Sequence, residues 1–249
     1  MSATSTTAAT TTTATASPAM SKRLVYLCGL AGLPDLSPAL ARLRADGWEV
    51  IVPELPGFDG KPGFRPPDSY LDWLTIYWDA IDATGALPCP VIGASVGAML
   101  AAELAIFRPE AVTALALFAP FGIADGDNPG LDLYALPNAE RLQHLFAKGV
   151  PDAFVNRFAE RGADEAPVAR YLSDVAAANL LWPLGDRGLA KRLHRITMPR
   201  LTLHGDLDEL IPTSTAHRWG NVVIVPGAGH LLEWDTPEFV SQQLGEFLG

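Results

Sequence analysis

Cysteine is nearly absent from this chain: two residues, Cys28 and Cys89, among 249. Two thiols build no disulfide framework. Cys28 ends one apolar run and Cys89 precedes another. In a parallel sheet that puts them at opposite ends, roughly 15 Å apart at ~3.3 Å per residue, beyond the ~7 Å that a disulfide spans. Positive charge is also scarce. Lys and Arg number 18 against 28 Asp and Glu, a net charge of −10, which argues against nucleic acid and anionic membrane surfaces as partners. No apolar stretch reaches the ~18 residues of a membrane span. The histidines (His144, His194, His204, His217 and His230) show no His-x-x-x-His spacing, and there is no Cys-x-x-Cys, so neither metal nor cofactor is expected. Residues 1–19 lack charge and a leucine-rich centre, so neither a secretory nor an Arg-bearing mitochondrial leader is expected there. They read, with Met20, as a disordered Thr/Ala-rich tail. Met20 opens Met20-Ser21-Lys22-Arg23 directly before the first strand and is expected to be the natural start, with residues 1–19 dispensable. A cytoplasmic protein is expected. No apolar hairpin precedes Leu24.

What is present is an apolar chain, 49% hydrophobic and 18% charged, long enough for one large α/β domain. Continuous apolar runs at 24–28, 49–52, 90–94, 114–118, 201–204 and 222–225 read as strands. Helical patterns at 38–45, 70–83, 98–105 and 236–248 fall between or after them. Buried strands separated by helices predict a parallel sheet of about six strands, covered on both faces. Such sheets take ligands at the carboxyl ends of their strands. Residues 54–67, dense in proline and glycine, read as a surface loop. From 121 to 195 the pattern is helical, broken by five prolines, with no convincing strand. That stretch is expected to be a cap (121–195) inserted into a core of 21–120 and 196–249.

The chemistry starts at Gly93-Ala94-Ser95-Val96-Gly97, directly behind Val91-Ile92. A Gly-x-Ser-x-Gly between a buried strand and a helix has the form of a nucleophile elbow, which holds its serine in a strained turn above the sheet. Serine alone is a poor nucleophile. It needs a histidine to take its proton and a carboxylate to orient the imidazolium. Both occur downstream at strand ends: Asp208 in His204-Gly205-Asp206-Leu207-Asp208-Glu209-Leu210-Ile211-Pro212, and His230 in Gly227-Ala228-Gly229-His230. Asp206, and less strongly Asp125 or Asp127, compete for the acid role. Glu209 and Asp235 read as surface or loop-anchoring charges, His204 as packing, and the other histidines as surface or cap residues.

In these segments and their order the chain resembles the α/β-hydrolase family, from about residue 24 to 249. Asn179-Leu180-Leu181-Trp182-Pro183 is similar to capped members, among them esterases and hydrolases of the carbon–carbon bonds of ring-fission diketones. The resemblance implies an acyl-enzyme on Ser95, with His230 as general base and Asp208 orienting it. It implies an oxyanion hole from the backbone N–H groups of Leu30 and Val96. Family members carry His-Gly-x-x-Gly in the first loop, whereas here it reads Cys28-Gly29-Leu30-Ala31-Gly32. Cys28 itself is expected to be a small buried hydrophobe. The expected activity is hydrolysis of a carboxylic ester or similar small, hydrophobic acyl compound. Carbon–carbon bond hydrolysis, acyl transfer to another nucleophile, and a ligand-binding receptor on the same scaffold remain alternatives. Oligomeric state is open.

Overall fold

The computed structural model describes residues 22–30, 37–182 and 185–249. The expected tail and the Ala31-Gly32 half of the first loop therefore lie outside the described residues. Six strands form one sheet: β1 (Arg23–Leu27), β2 (Glu49–Ile51), β3 (Cys89–Ala94), β4 (Val112–Phe118), β5 (Arg200–Gly205) and β6 (Val222–Val225). Their order is β2-β1-β3-β4-β5-β6 and every pair is parallel. The expected sheet of about six strands is present, all parallel, with no hairpin ahead of β1 among the described residues. Residues 24–27 of β1, 91–94 of β3 and 115–118 of β4 are buried, as strands covered on both faces must be. Pro90 lacks a ladder N–H, and the register between β3 and β4 shifts at that point.

Right-handed crossovers put α1 (Pro38–Ala45) and α2 (Tyr70–Asp82) on opposite faces, because β1–β2 and β2–β3 run in opposite directions along the sheet. Helix α3 (Val96–Phe107) is apolar apart from Glu103 and buried from Val96 to Ile106. The connections diverge between β1 and β3, which makes a crevice at the carboxyl ends of these two strands. Cys28-Gly29-Leu30 and Ser95 border it.

Between β4 and β5 lie α4 (Asn138–Arg141), α5 (Asp152–Val155), α6 (Glu165–Leu181) and several 3-10 turns, with no strand among the described residues. After β5 come α7 (Thr213–Ala216), then β6, α8 (Leu232–Asp235) and α9 (Pro237–Leu248), which packs against α1. The insertion is fastened to the core at both ends. Arg192 bonds Glu103 of α3 at 2.5 Å, and Arg195 Nε donates to the Ile106 carbonyl. Leu231 N–H donates to the Leu145 carbonyl.

One expectation is corrected here. The loop at 54–67 has no regular structure, yet Leu55 and Phe58 are buried, and α6 lies over it. A Cβ on Gly60 would come within 2.4 Å of the Ala169 carbonyl, and one on Gly57 within 2.9 Å of the Ala176 methyl. Proline and glycine mark the turns of this segment; they carry no information about what packs above it.

Candidate active site

Ser95 sits between β3 and α3 with φ 56° and ψ −118°, a region that non-glycine residues rarely occupy. The conformation is held from several sides. Ser95 N–H donates to the Phe118 carbonyl at 2.7 Å, and the Ser95 carbonyl accepts from Ala98, Met99 and Phe121 N–H. The flanking glycines are required sterically. A Cβ on Gly93 would meet the Gly97 carbonyl at 2.4 Å, and one on Gly97 would meet the Leu27 and Cys28 carbonyls at 2.2 and 2.3 Å. Gly29 brings the β1 loop equally close, since its Cβ would be 3.0 Å from the Ser95 Cβ.

Ser95, His230 and Asp208 come together as one hydrogen-bonded chain. His230 Nε2 lies 2.8 Å from Ser95 Oγ, and His230 Nδ1 lies 2.9 Å from Asp208 Oδ2. The other oxygen, Asp208 Oδ1, accepts from Leu210 and Ile211 N–H at 2.9 and 3.1 Å. Burial works against the Asp208 charge. His230, its hydrogen bond, His204 and the Ile211 N–H together outweigh it and hold this carboxyl below the usual range. Ser95 and His230 are each 1% exposed.

The other candidates sort themselves by position. Asp206 is exposed and accepts from Gly227 N–H, which braces the loop that carries His230. Asp125 and Asp127 belong to a turn, with Asp127 N–H on Asp125 Oδ1. Asp235 is a loop anchor: its carboxylate accepts from Gly229, Ala147 and Lys148 N–H. Glu209 is exposed and bonds His144. Cys28 is buried and unpaired, and burial pushes its thiol up to about 12, so it is no thiolate at neutral pH. Leu30 and Val96 are both buried; Val96 follows Ser95 directly, and Leu30 follows Gly29, whose Cβ would lie 3.0 Å from the Ser95 Cβ. Among the described residues no group of three or more His, Cys, Asp or Glu is arranged to hold a metal ion.

Three neighbours of the site were not legible as such. The Phe121 ring packs on His230 at 5.2 Å between centroids. His204, fully buried, places Nδ1 3.8 Å from Asp208 Oδ2, and neither ring nitrogen has a hydrogen-bond partner. Glu233 is buried against Tyr26 and near His230, and its carboxyl is pushed up to about 7, chiefly by burial. A Gly-His signal locates His230, but only the fold of α8 brings Glu233 back toward β1.

A parallel sheet with a strained serine at its switch point, a histidine after the last strand and an acid after the one before defines an α/β-hydrolase-like protein. The chain belongs to the Alpha/beta hydrolase family, which it matches over residues 24–243. It is 26% identical over 191 residues to the pimeloyl-[acyl-carrier protein] methyl ester esterase of Aeromonas salmonicida, covering 71% of this chain and 73% of that protein. It is 31% identical over 132 residues to a 2-hydroxymuconate semialdehyde hydrolase of Pseudomonas putida, covering 50% and 46%. Among solved structures it resembles a 2-hydroxy-6-oxo-6-phenylhexa-2,4-dienoate hydrolase from Rhodococcus sp. strain RHA1, with a TM-score of 0.70 at 19% identity over 91% of this chain and 90% of that one. The naproxen esterase of Bacillus subtilis gives a TM-score of 0.65 at 18% identity, covering 93% and 86%.

Proposed function

We propose that this protein is a serine hydrolase acting on a carboxylic ester or similar acyl compound. The observation that carries the reading is the unbroken chain from Ser95 Oγ through His230 to Asp208, set on a strained turn. His230 Nε2 takes the hydroxyl proton as Ser95 attacks the carbonyl carbon. The tetrahedral oxyanion is held by the backbone N–H groups of Leu30 and Val96, each such donor being worth ~3–4 kcal/mol in related chemistry. His230 then gives its proton to the leaving alcohol, and an acyl-enzyme forms. Water, deprotonated by His230, attacks that ester and releases the acid. Asp208 fixes the imidazole with Nδ1–H toward itself and stabilises the imidazolium. Residues 121–195 serve as the cap, a role supported by the near-complete burial of Ser95 and His230. Two unpaired buried thiols agree with a reducing compartment such as the cytoplasm.

Carbon–carbon bond hydrolysis would use the same three residues and is supported by relatives named for it. Turnover of p-nitrophenyl esters tests the proposal. Ser95→Ala is expected to abolish it, together with labelling by a fluorophosphonate. Asp208→Asn is expected to lower kcat by on the order of 10⁴-fold. Wild-type-like turnover by Ser95→Ala would refute the scheme.

A further inference from the structure

Between the insertion and the acid loop lies a cavity of about 300 Å³, and three of its lining residues, Phe121, Leu210 and Ile211, touch the hydrogen-bonded chain. Phe121 lines it, packs on His230 and donates its N–H to the Ser95 carbonyl. Leu210 and Ile211 line it too, and their N–H groups hold Asp208. The volume suits a small or medium apolar group. Phe121 is thus the lining residue that touches both Ser95 and His230.

The charged side chains that line this space are acidic. Asp125 and Asp132 line the cavity, and among the described residues lining it there is no Lys, Arg or His. Each carboxylate is pinned by a turn, Asp125 through Asp127 N–H and Asp132 through Tyr134 N–H. The nearby cations bond backbone carbonyls: Arg218 that of Ala124 on the cavity wall, at an exposed position, and Arg187 those of Leu180 and Leu181. A second space beside Leu30 does hold guanidinium groups, from Arg141 and Arg157, but it is only about 20 Å³. Arg141 there bonds the Leu136 and Tyr134 carbonyls, and Arg157 faces Asp174 at 3.5 Å and lies over the Phe154 ring. Neither compartment offers an unengaged cation to a carboxylate.

We infer that the cavity lined by Phe121 is the substrate's apolar compartment, and that Asp125 and Asp132 make the enzyme select uncharged acyl compounds against those bearing a carboxylate. The inference rests on the serine-hydrolase reading above, and it separates this chain from relatives named for dienoates. A matched pair tests it: p-nitrophenyl hexanoate, and the mono-p-nitrophenyl ester of adipic acid, of equal length but ending in a carboxylate. Wild type is expected to prefer the hexanoate by at least tenfold in kcat/KM, and the preference should shrink in 0.5 M salt as charge is screened. The double variant Asp125→Asn, Asp132→Asn keeps the turn acceptors, and is expected to narrow the ratio at least fivefold. Equal or reversed preference in wild type overturns the inference, as does a ratio that the double variant leaves unchanged. A reversed preference abolished by Arg157→Met would put the carboxylate site beside Leu30 instead. Fluorophosphonate labelling separates the two levels. If Ser95 labels but the preference is absent, only the selectivity falls; if Ser95 neither labels nor turns over hexanoate, the hydrolase reading falls with it.

Discussion

Buried carboxyl and imidazole groups flank His230, and they pull stability in opposite directions with pH. Glu233, pushed up to about 7 mainly by burial, is protonated in the fold at pH values where the unfolded chain has lost that proton. Its contribution is complete below the ordinary carboxylate pKa and is lost as pH rises through 7. A rise from 4.5 to about 7 corresponds to on the order of 3 kcal/mol at ~1.4 kcal/mol per unit. His204 is the reverse case. Burial lowers its pKa, against the attraction of Asp208, so its contribution is present above pH 6.5 and is lost as pH falls below it. Glu233→Gln removes the first slope alone. Urea midpoints of the variant are therefore expected to gain on wild type from pH 5 to about 7 and to level off above it; a constant offset would show that Glu233 stays charged in the fold. Ser95, Asp208 and His230 were legible because their residue types stand directly after strands, where a parallel sheet gathers its loops. His204 and Glu233 were not, because their significance lies in what they face across the core.

At the scale of elements, two glycines give opposite expectations. Gly97 lies in the first turn of α3, where a methyl would strike the Leu27 and Cys28 carbonyls. Backbone cannot yield as a side chain does, so Gly97→Ala is expected to cost more than ~2 kcal/mol and to displace Ser95. Gly245 is an exposed position inside α9 with open space where its Cβ would be. Gly245→Ala is expected to add ~0.5–1 kcal/mol through helix propensity alone. Chemical denaturation of both variants checks the pair. Helix α1 and β6 match the sequence reading to the residue, and the other strands differ by one or two residues at their ends. Apolar runs and bounding prolines make such elements readable. The first half of the loop at 54–67 was misread because its packing partner, α6, lies about a hundred residues away, and local composition does not register it; residues 61–63, 65 and 66 are exposed as expected. The short α8 was missed for want of a periodic pattern in four residues.

Across the whole molecule, the insertion and the loop that carries His230 are joined by hydrogen bonds. Gly229 and Leu231, on either side of His230, are bonded to Asp235 and to the Leu145 carbonyl. Asp235 carries the join onward to Ala147 and Lys148. Asp235→Ala leaves three backbone N–H groups without their acceptor, and is expected to cost on the order of 2–4 kcal/mol. Its kcat should fall further than that loss explains, because His230 is no longer aimed. An Asp235→Ala enzyme with wild-type kcat per labelled Ser95 would show that the join is merely structural. This fastening also constrains how the two segments move. Movement of the segment around Leu145–Lys148 as a body would pull Gly229 and Leu231 with it and carry His230 away from Ser95. The placement of His230 against Ser95 thus depends on residues 145–148, nearly a hundred positions earlier in the chain, staying where they are.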